Sequence, residues 1–177
     1  LKSFYNYTPN ILKMIKEAVY GVLFRQSTTY NPILWTMYYE FYGSFMVIAF
    51  ALMFSKMRNR WIIYFILLIL TFNNNFLPFV LGLILSDCCN IKKQIIQKYI
   101  NKYTSILFMI LGIFLASYPP AMSVENTIYK IMKLNYIENS SYFYHSISAF
   151  FIMIVILNSN LLKKIFSIKI FCFLGDI

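Results

Sequence analysis

The amino-acid sequence predicts an all-α fold, a polytopic transmembrane helix bundle with about five spans. Of 177 residues, 60% are hydrophobic and only 12% are charged. A soluble domain is about half apolar and about a quarter charged. Long apolar runs recur along the chain, and the basic residues fall in short clusters between them, the pattern of cytoplasmic loops. The net charge of +10 therefore reads as a topology signal, and nucleic acid is excluded as a partner. No repeat of fixed period and no Gly/Ser-rich linker interrupts residues 1–177, so the chain reads as a single domain.

The elements follow in order. In residues 1–30, Lys2, Lys13, Lys16 and Arg25 alternate with Ile11, Leu12, Ile15 and Val19. That spacing predicts an amphipathic helix over 10–24 lying at a membrane interface. Asn31 followed by Pro32 predicts the next helix start, because Asn caps and Pro fits the first turn. A helix from 32 to 57 is about 39 Å long, enough to cross a hydrocarbon core of about 30 Å.

After the basic loop "SKMRNR", the apolar stretches 61–72 and 76–87 are separated by "NNN". Each is only about 18 Å long as a helix. Lys56, Arg58 and Arg60 precede the pair, and Lys92, Lys93, Lys98 and Lys102 follow it. A hairpin keeps both basic clusters on one side, so a hairpin is expected rather than one long helix. Residues 104–118 form the next span, ended by Pro119–Pro120. The loop 119–141 balances Lys130 and Lys133 with Glu125 and Glu138 and suits the outer side, and a last span over 142–158 leads to Lys163, Lys164 and Lys169 inside. The chain thus reads as an integral, multi-pass membrane protein, and a plasma (inner) membrane is its expected location. The basic segment 1–30, left outside, fits this topology least well.

Three cysteines, Cys88, Cys89 and Cys172, show no CxxC spacing, and no HExxH or Cys/His cluster accompanies them. No metal is expected. Cys88 and Cys89 read as the end of a helix at a membrane surface, with palmitoylation as the alternative. Asn6-Tyr7-Thr8 and Asn139-Ser140-Ser141 match the glycosylation triplet, which an Asn-rich chain produces by chance.

One acid interrupts the first long apolar run. In "YNPILWTMYYEFYGSF", residues 30–45, helical spacing aligns Glu40 with Thr36, Gly43 and Ser44, beside an aromatic stripe of Trp35, Tyr39 and Tyr42. Small residues let helices approach closely in a membrane, so this stripe is expected to face the bundle. With the span centred near residue 48, Glu40 lies about 12 Å from the midplane. A carboxylate costs about 2.5–3.5 kcal/mol at the centre and less near the edge.

This string resembles the signature of the acyltransferase type 3 family, integral-membrane enzymes that acylate sugars and other surface molecules. Asn31, Pro32, Leu34, Trp35, Thr36, Glu40, Gly43 and Ser44 match it. "FVLGLILSD", 79–87, is similar to a family segment that ends a span. Residues 144–177 are similar to the run into the family's closing motif, with Phe173, Leu174, Gly175 and Ile177 matching and Asp176 in place of the usual basic residue.

The resemblance implies transfer of an acyl group, often acetyl, from an acyl-CoA donor to a hydroxyl of a carbohydrate or similar acceptor, with the lipid bilayer as surroundings and no bound cofactor. It implies catalytic roles for Glu40 and Trp35 and substrate contacts for Thr36, Tyr39 and Ser44. Lys56, Arg58, Arg60, Lys92 and Lys93 would face the cytoplasm, one or two meeting CoA phosphates. The family's catalytic histidine, preceded by a basic residue, belongs to a helix upstream of the Trp-Glu signature, and residues 1–30 contain no histidine. The chain is therefore expected to be the middle and later part of such a protein, lacking the first helices and the closing helix, and inactive alone. The single histidine, His145, starts a late span without an adjacent carboxylate and reads as a packing or interfacial residue rather than a base. The rival class is a non-enzymatic polytopic membrane protein, a transporter or sensor; paired repeats and charge at the midplane would favour it.

Overall fold

A computed structural model describes residues 10–57, 59–91, 100–120, 124, 127–133 and 140–175. The expectations resting on Lys2, Arg58, Lys92, Lys93, Lys98, Glu125, Glu138, Asp176 and Ile177, and on both glycosylation triplets (of the second, Asn139), lie outside these residues. Every regular element among the described residues is a helix, as the all-α reading requires. Packing divides the chain into two compact units, 1–60 and 61–177.

In the first unit, the expected interfacial helix is built from three pieces. Helix α1, Ile11–Lys16, is capped by the Asn10 side chain, which accepts from Lys13 N. A π-helical turn, Glu17–Gly21, follows, and α2, Val22–Arg25, ends where Gln26 takes a left-handed φ of 54°. Its apolar residues Ile11, Leu12, Ile15 and Val19 are exposed. Edge-to-face contact of Phe24 with Phe41, centroids 5.5 Å apart, packs α2 on the long helix α3, Trp35–Phe54.

The second unit contains α4, Trp61–Thr71; α5, Leu77–Ile91; α6, Lys102–Ala116; α7, Ser140–Asn158; and the short α8, Asn160–Phe166, and α9, Lys169–Gly175. Helices α4 and α5 form the expected antiparallel hairpin around the asparagine turn. The Tyr64 hydroxyl, near the start of α4, donates to Asp87 Oδ2, near the end of α5, at 2.5 Å. Tyr64 itself is buried.

Helices α6 and α7 run antiparallel. Phe108 stacks on Phe151 with centroids 5.2 Å apart, and Tyr118 meets Tyr144 at 4.7 Å. Between these contacts Gly112 lies against Ser148, whose Oγ donates to the Gly112 carbonyl at 2.6 Å. Small residues at such a crossing allow the backbones to close up. Beyond Pro119–Pro120, the 3-10 turn Ile128–Met132 folds over this end of the pair. Tyr118, Val124 and Tyr144 form a buried cluster there, joined by Leu115, Tyr129, Met132 and Phe143.

Two helices, Pro32–Phe54 and Ser140–Asn158, are long and apolar enough to cross a membrane. Three further apolar helices, Trp61–Thr71, Leu77–Asn90 and Lys102–Ala116, are shorter.

Candidate active site at the start of the long helix

The Asn-Pro pair builds the entry to α3 as its chemistry dictates. The Asn31 side-chain oxygen accepts from Ile33 N at 3.1 Å, and Leu34 N donates to the Asn31 carbonyl at 3.2 Å. Pro32 opens the 3-10 turn Pro32–Leu34, where its missing N–H costs nothing. Trp35, Thr36, Tyr39 and Glu40 consequently occupy the first two turns of α3.

These side chains separate into two groups. Trp35 meets Tyr39 edge-on at 6.1 Å, and Tyr38 contacts Tyr39 and Tyr42 at 5.3 and 4.8 Å, so the aromatic stripe is continuous. The small stripe splits. Gly43 is buried, Thr36 is half-buried, and Glu40 and Ser44 are exposed. Gly43 and Phe50, both buried, mark the inward line of α3, and Glu40 sits about 60° round the helix from it. Within the first unit, then, Gly43 is buried and the carboxylate is not.

Among the described residues no hydrogen bond or ion pair engages Glu40. The apolar helix Pro32–Phe54 has its midpoint at Gly43, only about 5 Å along the axis from Glu40.

Two residues that the sequence reading did not single out hold this region in place. The Glu17 carboxylate accepts from Tyr30 N at 2.8 Å, and the Gln26 amide donates to the Tyr39 hydroxyl at 2.9 Å. Glu17 lies in the π-helical turn, and such turns re-aim side chains relative to a regular helix. The available signal was that Glu17 is the only acid before Glu40. The other half of the site, a left-handed Gln26, leaves no mark in composition.

His145 is not near a carboxylate among the described residues; it serves the end of α6. Pro119 and Pro120 carry no N–H and stop that helix. The buried Tyr118 carbonyl meets His145 Nε2 at 2.9 Å instead. A carbonyl only accepts, so Nε2 carries the proton. Tyr118 and Ser140 hydroxyls lie 3.2 Å apart, the Tyr129 hydroxyl donates to the Phe114 carbonyl at 3.2 Å, and that of Tyr144 donates to Met132 at 2.5 Å. This is a polar clasp closing the end of α6 and α7.

Among the described residues no three His, Cys, Asp or Glu side chains come together as a metal site. Lys56 and Arg60 are placed after α3, with Arg60 Nη1 donating to the Ser55 carbonyl at 3.1 Å. No family model, no curated protein and no solved structure matches the chain.

Proposed function

We propose that this chain is part of a multi-pass, membrane-bound acyltransferase that moves an acyl group, acetyl in the simplest case, from acyl-CoA to a hydroxyl of a surface carbohydrate or similar acceptor. The observation that carries this reading is Glu40, a carboxylate near the middle of an apolar helix, with no hydrogen-bond or ion-pair partner for its side chain among the described residues. It stands one turn from Thr36, in the eight-position resemblance to the acyltransferase type 3 signature. An ionisable group within an apolar helix is costly in a membrane, which favours a functional role over a stray charge, and the signature resemblance is what favours the enzyme over the rival class.

The reaction requires a base to take the acceptor hydroxyl proton as its oxygen attacks the thioester carbonyl. The carbon–sulfur bond then breaks and CoA leaves as the thiol. In this reading Glu40 orients the base or the acceptor, Trp35 stacks on sugar or donor, and Thr36, Tyr39 and Ser44 contact substrate. Glu17 and Gln26 hold the strand of chain and the tyrosine that frame them. His145 donates its Nε2 proton to a backbone carbonyl, which supports a packing role for it in this reading. The resemblance places the base on a histidine upstream of the Trp-Glu signature. Lys56 and Arg60, the described members of the basic cluster after α3, would meet CoA phosphates on the cytoplasmic side in this reading.

The test is acyl transfer from labelled acyl-CoA to the surface acceptor by membranes carrying the intact protein with Glu40→Gln. Transfer is expected to fall about a hundredfold or more with membrane insertion unchanged. Transfer near the unmodified level would remove Glu40 from the site, whereas no transfer by the unmodified intact protein would leave the non-enzymatic class as the better reading.

A further inference from the structure

We propose that residues 160–175, the two short helices leaving α7, form a docking strip for an anionic lipid surface. This inference is independent of the acyltransferase reading. Helix α8 is separated from α7 by Ser159, whose side chain accepts from Leu162 N at 3.3 Å. The chain thus turns as it leaves a helix long and apolar enough to cross a membrane. Within α8, Leu161, Leu162, Ile165 and Phe166 share one face, and Lys163 and Lys164 the other. At the next bend Phe166 meets Phe171 edge-on at 5.6 Å, and α9 adds Lys169 with Phe173 and Leu174. The three lysines are exposed, as are Leu161 at 67% and Phe173 at 66%.

A lipid surface fits this strip better than a second copy of the chain. From 140 to 175 the sequence contains no acid, so two copies of the strip would oppose like charges. Large apolar side chains beside lysines are instead the pattern of a helix lying in the headgroup region. Its continuity with α7 places it at the membrane surface. Anionic headgroups draw in each nearby lysine, and the apolar residues sink beside their acyl chains.

The unmodified full chain, in nanodiscs of phosphatidylcholine alone or mixed with phosphatidylglycerol, is footprinted at Lys163, Lys164 and Lys169 with an amine-acylating reagent. In parallel, Cys172 is labelled with an environment-sensitive dye in the Cys88→Ser, Cys89→Ser variant. The expected result is slower lysine modification and blue-shifted emission in the anionic discs, both reversed by salt. Each Lys→Gln change should lower the docked-to-free ratio about fivefold. Equal footprints and emission in the two lipids would overturn the proposal. So would emission that follows the protein-to-lipid ratio rather than lipid charge, which would assign the strip to a second copy.

Discussion

His145 shows how a residue's chemistry is decided by one hydrogen bond. Its Nε2 proton goes to the carbonyl of the buried Tyr118, just past the end of α6. Leaving a buried acceptor unmatched costs about 1–3 kcal/mol. His145→Phe should therefore destabilise the second unit by that amount, read as a loss of helicity at lower denaturant in detergent. His145→Gln, whose side-chain amide can donate, should recover most of it and retain acyl transfer in the intact protein; a loss of transfer without a loss of stability would return His145 to the active site. The sequence supported a packing role for this histidine but not the partner, because Tyr118 is 27 residues away and only the α6–α7 fold brings them together. Glu40 was legible for the opposite reason. An acid in an apolar run is visible in one dimension, and the turn before it is set by Asn31 and Pro32 themselves. Its outward flank was not legible, since Gly43 and Phe50, rather than the small stripe as a whole, define the inward line.

At the scale of elements, apolar periodicity marked every long helix to within a few residues, because burial and backbone satisfaction both demand regular helix wherever an apolar run meets a membrane. The π-helical turn at Glu17–Gly21 escaped it, since one extra residue in a turn barely changes an amphipathic pattern. The contact between α6 and α7 escaped as well. A Cβ on Gly112 would stand 2.8 Å from Ile152 Cγ1 and 3.5 Å from the Ser148 carbonyl. The second distance is ordinary contact, but the first is too close, so Ile152 or the helix that carries it must shift. Gly112→Ala should destabilise the pair by about 1–3 kcal/mol, the usual cost of overpacking. Ile152→Ala in the same chain removes the clashing carbon, so the double variant should lose less than the two single losses added together. Simple additivity in unfolding measurements would show that the crossing is looser than these distances describe.

For the whole molecule, the question is how many helices cross the bilayer. If only Pro32–Phe54 and Ser140–Asn158 cross, α4, α5 and α6 share one side and meet water or headgroups. Helix α4 exposes Ile62, Phe65, Ile69 and Leu70, and α6 exposes Ile106, Leu107, Ile110 and Ile113, contiguous apolar surface that water disfavours. If all five cross, that surface meets lipid. The cost is mismatch, because 11 residues in α4 and 15 in α5 and α6 span only about 17 and 23 Å against a core of about 30 Å. Thinning of the bilayer around short helices costs fractions of a kcal/mol per Å, less than leaving such faces in water at about 25 cal/mol per Å². Five spans are therefore expected. Asn101, just before α6, and Cys172, in α9, are the decisive pair. Two crossings separate them in the five-span arrangement and one in the two-span arrangement. With Cys88 and Cys89 replaced by Ser, a membrane-impermeant maleimide should reach Cys172 and an Asn101→Cys thiol from the same face of sealed vesicles. Labelling from opposite faces would place α6 outside the bilayer and reduce the chain to its two long spans.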